Sequence, residues 1–450
     1  MSDENTQKSV GGDAVASPEK EFNVDEKQAG HDLDTGDIID TAYYTPKQYK
    51  KIRWKADLYL MPLLFFIDGI QIVDKNAISI QAVFGMRENT GLHGQQYQWL
   101  TTIFYLVYLI GEFPSVYLLQ RWKSSEGVIA VICNLILYGI ARHAEHYSGL
   151  ATWRCVSLFL GSLTIVGSIW SYFILGTPHE VRWLSPGEKR IATARVIENG
   201  AGQDTTDKRW DWDQVNEALR DPQFYFSILN TFITCIPNGG ITSFAYIMYQ
   251  SFGFDSYQSM LYGLPRISVD TLLFIVVAWW TQKVQNQRLW ITLPCCIIPF
   301  VGMLVLSLLP NEPEYKWIKW GMFMLTIVFN LATFVAWSLL PSNFLGKTKY
   351  SFSSGMTLIA YCTGNMVGSQ VFRTKDAPRY VMGTIVCSAC FGLQFFVLLG
   401  WRLYYTWENK RRDRLMVEMG VSEEDRVRLA RELGQQDKTD RQNIYIRYAM

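Results

Sequence analysis

The chain has 450 residues, of which 49% are hydrophobic, 14% aromatic and only 18% charged, well short of the about 25% charged residues of an average soluble domain. A formal net charge of +1 offers no basic surface for a nucleic-acid partner, so positive charge matters through its placement. The eight cysteines lie mostly inside apolar runs, which fits small core residues better than disulfides or metal ligands.

Residues 1–52 read as a disordered tail. Up to about Lys47 they are rich in Asp, Glu, Lys and Gly and hold no apolar segment of the kind a cleavable signal needs. Ten stretches then approach the about 20 apolar residues with which a helix crosses a bilayer core of about 30 Å. They fall at 58–73, 99–119, 128–141, 155–175, 224–249, 260–280, 289–309, 318–340, 352–372 and 381–404, the first and third being short. Unpaired backbone groups cannot face lipid, so each is read as a helix and the chain as an all-α, polytopic membrane protein.

Basic residues set the orientation. Lys47, Lys50, Lys51, Arg53 and Lys55 precede the first span, Arg121 and Lys123 follow the second, and Lys283 and Arg288 follow the sixth. Lys347 and Lys349 follow the eighth, and Arg402, Lys410, Arg411, Arg412 and Arg414 the tenth. If every span crosses once, all of these share one side, which places both termini in the cytoplasm.

Between the fourth and fifth spans lies a polar linker, 177–223. Ser185-Pro186-Gly187-Glu188 reads as a capping box with Pro at the first helical position, opening a helix that stops at Gly200. A second short helix is predicted over 213–220, ended by Asp221-Pro222. The linker divides the spans into bundles at 53–176 and 224–407. The tail, 408–450, reads as helical and then disordered.

Several stretches resemble the fungal allantoate permease family of the major facilitator superfamily. They are Ile72-Val73-Asp74-Lys75-Asn76-Ala77-Ile78-Ser79, Gln96-Tyr97-Gln98-Trp99-Leu100 with Phe104-Tyr105, and Tyr117-Leu118-Leu119-Gln120-Arg121. Ile236-Pro237-Asn238-Gly239-Gly240 with Gly253-Phe254, Ser342-Asn343, Gly346-Lys347-Thr348-Lys349, Gly364-Asn365 and Asp376-Ala377-Pro378-Arg379-Tyr380 with Gly383 complete the set. The resemblance runs from about Arg53 to Trp407. It implies two six-helix bundles, a substrate site near the midplane between them, and organic anions such as allantoate, ureidosuccinate, nicotinate, pantothenate or biotin as cargo. Two departures stand out. Tyr350 follows the Thr-Lys pair where the family commonly has Arg, and ten spans replace twelve. The fourth and fifth family spans are the ones missing, between about Tyr147 and Trp153.

Ionisable groups inside a span cost about 2.5–3.5 kcal/mol each on insertion scales, so each is a candidate for function. Asp68, Gln71 and Lys75 lie at i, i+3 and i+7 on one helix face, with Asp68 and Gln71 as candidate substrate contacts. Asp74 and Lys75 are candidates for proton coupling or gating, or else sit at the outer interface with Lys75 snorkelling. Pro237-Asn238-Gly239-Gly240 is expected to break the fifth span, so that Asn238 presents its amide to a carboxylate substrate or bonds to a neighbouring helix around a packing kink. Tyr361 and Asn365 share a face of the ninth span as candidate substrate contacts, with Gln370 on another face. Gly364 and Gly368 form a small-xxx-small pair suited to close helix approach. Glu112 and Asp270 are further buried acids, candidates for a proton relay or a gate. Arg121 and Lys123 serve either as gating charges or as cytoplasmic anchors.

No enzyme is expected. His143 and His146 have no third ligand nearby in sequence, no phosphate-binding loop is present, and neither cofactor nor metal is implied. The expected function is proton-coupled uptake of a small organic anion by alternating access, with a monomer in a fungal plasma membrane. The alternative is a non-transporting membrane protein, either a nutrient sensor or an inactive truncated permease.

Overall fold

The computed structural model describes residues 46–121, 152–176, 181–198, 210–284 and 286–450. These fall into two compact units, one drawn from Met1–Leu58 with Gly176–Gln203, the other from Tyr59–Leu175 with Asp204–Met450. Among the described residues all regular structure is helical: α1 Pro46–Val83, α2 Gln96–Arg121, α3 Thr152–Ile174, α4 Pro186–Glu198, α5 Trp212–Leu219, α6 Pro222–Ser251, α7 Ser256–Lys283 and α8 Arg288–Leu308. Then follow α9 Lys316–Leu325, a 3-10 turn leading into α10 Phe329–Trp337, α11 Lys347–Val371, α12 Val381–Glu418 and α13 Glu423–Gln435. Nine of the ten expected spans thus appear as helices, α9 and α10 together forming one. The tenth, at 128–141, lies outside the described residues.

In the smaller unit, Glu188 behaves as its motif predicts. Its Oε2 accepts the Ser185 backbone N–H at 3.1 Å and pairs with Lys55 Nζ at 2.6 Å, which joins α4 to the first turns of α1. In the larger unit, capping sets the helix starts. Asp211 Oδ1 accepts from Asp213 N (2.9 Å) at α5, and Asp221 Oδ1 accepts from Gln223 N (3.2 Å) at α6, with Pro222 as the first helical residue. At α7 Asp255 and Gln258 form a complete capping box.

Among the described residues, five segments are long and apolar enough to cross a bilayer: one each in α3, α7, α8 and α12, and the α9–α10 pair. Helix α7 is the extreme case, with Leu272, Ile275, Val276 and Trp279 all exposed on one side. Such an apolar face fits lipid rather than water. The four remaining long helices are α1, α2, α6 and α11. Helix α11 packs on both α6 and α2, and the end of α1 meets α6. Helices α1, α2, α6 and α11 are thus gathered together.

Two expectations need correcting. Pro237 does not break its span: α6 runs uninterrupted from Pro222 to Ser251 with Pro237 buried inside it. The residues after α13 are not disordered. Thr439, Asp440, Asn443 and Tyr448 are buried against the bundle, where Lys349 and Arg412 bind Asp440, Arg412 binds Tyr448, and Asn343 binds the neighbouring Ala449.

Candidate functional site

Where α2 meets α6 and α11, glycine governs how near the backbones come. A Cβ at Gly368 would lie 2.0 Å from the Ile236 carbonyl oxygen, and one at Gly239 would lie 2.3 Å from that of Asn365. Both helices therefore need bare backbone at the crossing. At this crossing Asn238 Nδ2 donates to Asn365 Oδ1 at 2.7 Å, and Asn365 Nδ2 donates to the Tyr361 carbonyl at 2.8 Å. Of the two roles left open for Asn238, the structure displays the interhelical bond. Asn365 is fully buried, whereas Asn238 and Tyr361 keep partial exposure.

An aromatic group surrounds Tyr361. The rings of Tyr105, Tyr108 and Trp337 lie 5.9, 6.5 and 5.8 Å from it, all in edge-on or near edge-on arrangements. Trp337 Nε1 donates to Thr231 Oγ1 at 3.0 Å, which ties α10 to α6. Tyr, Trp and Asn together offer flat apolar faces with hydrogen-bonding rims. Side chains of this kind suit contact with a small planar ligand carrying polar groups.

Toward the end of the bundle that carries the α1–α2 and α11–α12 connections, this cluster is closed by a polar seam. Tyr97 hydroxyl donates to the Ser243 carbonyl at 2.6 Å, and Thr101 Oγ1 lies 2.9 Å from Ser243 Oγ. Gln98 Nε2 donates to the Phe372 carbonyl at 2.8 Å and to Thr374 Oγ1 at 3.2 Å. Thr102 Oγ1 lies 3.0 Å from Ser369 Oγ and accepts from Gln370 Nε2 at 2.8 Å. Gln370, set on another face by the sequence reading, thus belongs to the seam. Phe244 and Phe372 stack beneath it at 5.2 Å.

Of the sequence candidates, the structure brings together Asn238, Tyr361 and Asn365. Asp270 belongs to a separate contact on α7, where its Oδ2 accepts from Asn330 Nδ2 of α10 at 3.0 Å. Asp68, Gln71, Asp74 and Lys75 fall within α1, and Glu112 and Arg121 within α2, but their side chains are outside those described. Lys123, His143 and His146 lie outside the described residues. Among the described residues no three His, Cys, Asp or Glu side chains are grouped to hold a metal.

Sequence reasoning missed Tyr108, Trp337, Thr101, Thr102, Ser243 and Ser369 as members of the site. A signal was present in α2. Tyr97, Thr101, Tyr105 and Tyr108 follow one another at i, i+4, i+8 and i+11, a stripe of hydroxyls along one face of an otherwise apolar helix.

The family model described as Major Facilitator Superfamily matches residues 124–369, more than half of the chain. The allantoate permease of Saccharomyces cerevisiae is 26% identical over 492 positions, covering 90% of this chain and 87% of the permease. An uncharacterized transporter of Schizosaccharomyces pombe is 26% identical over 479 positions, covering 90% of this chain and 88% of the relative. An MFS-type transporter of Penicillium expansum is also 26% identical, over 92% of this chain and 91% of its own length. All three matched lengths, 479, 492 and 451, exceed the 450 residues of the chain, so those relatives hold residues with no counterpart here. With a family match over more than half of its length and several helices apolar and long enough to cross a membrane, this chain belongs to the Major Facilitator Superfamily and is a multi-pass membrane protein.

Proposed function

We propose that the protein is a proton-coupled transporter of a small organic anion that works by alternating access. The observation that supports this best is the arrangement of α2, α6 and α11. An aromatic and amide cluster lies beside a seam of hydrogen bonds that closes one end of the bundle and leaves no covalent obstacle to its parting. Similarity to an allantoate permease favours ureide or heteroaromatic carboxylates as cargo. In this reading Asn238, Tyr361 and Asn365, with Asp68 and Gln71 of α1, contact the substrate. Asp270, Glu112, Asp74 and Lys75 take part in proton coupling or gating, as do Arg121 and Lys123. In the same reading, supported by the basic residues flanking the spans, both termini are cytoplasmic and the closed seam faces outward. Residues 53–176 and 224–407 then form the two bundles, in a monomer of the plasma membrane.

Uptake of labelled allantoate, ureidosuccinate and nicotinate by cells expressing the chain tests the proposal. We expect saturable uptake that collapses with a protonophore and falls at least tenfold in Asn365→Ala at equal surface abundance. Uptake no greater than that of empty cells, with the protein at the surface, would overturn it. A second reading is favoured by the residues of the relatives that have no counterpart here. A chain lacking two spans of the amino-terminal bundle would be a non-transporting nutrient sensor or an inactive permease. Restoring two apolar spans between Tyr147 and Trp153 would then create uptake where the chain itself has none.

A further inference from the structure

At the end of the bundle opposite the seam, a set of charges is buried away from the site described above. Lys349, in the first turn of α11, is wholly buried, and its Nζ lies 2.7 Å from Asp221 Oδ2, 2.7 Å from Asp440 Oδ1 and 3.0 Å from Glu217 Oε1. Burial works against its charge, but the carboxylates of Asp440 and Asp221 more than offset this and hold the ammonium above its ordinary value. The three acids come from three places: Glu217 from α5, Asp221 from the start of α6, and Asp440 from the segment after α13.

That segment is tied down along its length. Arg412 Nη2 donates to the Asp440 carbonyl at 2.9 Å and to the Tyr448 hydroxyl at 2.9 Å, and Arg412 Nη1 donates to the Ile446 carbonyl at 3.1 Å. The Tyr448 hydroxyl donates to Asp440 Oδ2 at 2.7 Å, and its ring stacks on Tyr405 of α12 at 4.8 Å. Asn343 and Ala449 exchange a pair of hydrogen bonds at 2.9 and 2.8 Å.

The consequence falls on α11. A helix leaves its first backbone N–H groups without internal partners. Gly346, which precedes α11 with φ +87°, has no side chain to receive them. The linker and the last segment supply the acceptors instead. Asp437 Oδ1 takes Lys347 N–H at 2.8 Å, and Gln214 Oε1 takes the N–H groups of Thr348 and Lys349, both at 3.1 Å. The helix that carries Tyr361 and Asn365 is therefore capped by residues distant in sequence.

We propose that residues 437–450 form a fixed strap that caps α11, neutralises Lys349 and holds α11 in register with α5, α6 and α12, so that the strap positions the helix bearing the binding residues. The link to binding rests on the transport reading above, whereas the strap itself does not. Every partner named lies on α5, α6, α11, α12 or the short connections beside them, so the strap stays closed while the bundles rock.

The test uses the purified full chain and cells expressing it. Asp437→Ala and Asp440→Asn are expected to lower the thermal unfolding temperature. Asp437→Asn, which keeps the capping oxygen, unfolds like the parent protein. For a transported anion, Asp437→Ala raises KM at least threefold at equal surface abundance and Asp437→Asn does not. An Asn343→Cys, Ala449→Cys pair joined by a short thiol cross-linker is expected to keep uptake within twofold of its uncross-linked value. Parent-like unfolding in both Asp437→Ala and Asp440→Asn would overturn the strap. Loss of uptake on cross-linking, restored when the link is cleaved, would overturn its fixed character. In cells that take up no tested anion the unfolding measurements still decide the strap, and the transport reading fails separately.

Discussion

Single residues in this chain are held by partners that local sequence only partly announces. For Glu188, burial raises the carboxyl, but the Lys55 ammonium and the Ser185 N–H more than offset this and hold it below the ordinary glutamate value of 4.5. A carboxyl depressed on folding stabilises above its unfolded value, and that contribution is lost as pH falls through the folded value. We therefore expect protection of the first amides of α4, corrected for intrinsic exchange, to be constant above about pH 5 and to fall below pH 4.5. Glu188→Gln should remove that dependence. Hydrogen exchange followed by mass spectrometry reads both, and an identical pH profile in the two proteins would refute the assignment. The capping half of this arrangement was legible in Ser185-Pro186-Gly187-Glu188. The Lys55 partner was not, being 133 positions away.

At the scale of elements, the α6–α11 crossing shows how alike glycines differ. Gly355 and Gly368 both lie inside α11, but a Cβ at Gly355 would meet nothing within 4 Å, whereas one at Gly368 would strike the Ile236 carbonyl. Gly355→Ala should leave stability unchanged or raise it by up to about 1 kcal/mol through helix propensity. Gly368→Ala should cost about 1–3 kcal/mol through overpacking against backbone that has nowhere to move. Thermal unfolding of the two purified variants ranks them, and a Gly368→Ala protein as stable as Gly355→Ala would contradict the close crossing. The small-xxx-small spacing of Gly364 and Gly368 pointed to this contact. The nearby Pro237-Asn238-Gly239-Gly240 misled, because a break was inferred from residue types alone. Within a packed bundle the missing Pro237 N–H is tolerated, and the glycines serve the approach of α11 instead.

For the whole molecule, the proposed alternating access requires the seam at one end of the bundle to part. Gln98→Ala removes two hydrogen bonds, each worth about 0.5–1.5 kcal/mol net, so the closed population should fall on the order of tenfold relative to the open one. Spin labels at the exposed positions Gln95 and Lys375 report on this end. The parent chain is expected to give one short distance, and Gln98→Ala a second, longer population. An unchanged distribution would mean that other contacts keep the end closed.

The sequence by itself determined the helical, membrane-spanning character, nine spans in the places expected among the described residues, and the cap that starts α4. These depend on hydropathy and on neighbours within four positions, which one chain of letters displays. The convergence of Asn238, Tyr361 and Asn365 was half visible, as shared helix faces whose partners were unnamed. Tertiary structure alone decided that Tyr108 and Trp337 join Tyr361, that Gln98 and Thr102 close the seam, and that Asp440 reaches Lys349. Trp337 and Tyr361 are 24 positions apart and the other pairs about 90 to 275, all of ordinary local sequence, and their meeting is fixed by how helices pack rather than by what any helix contains.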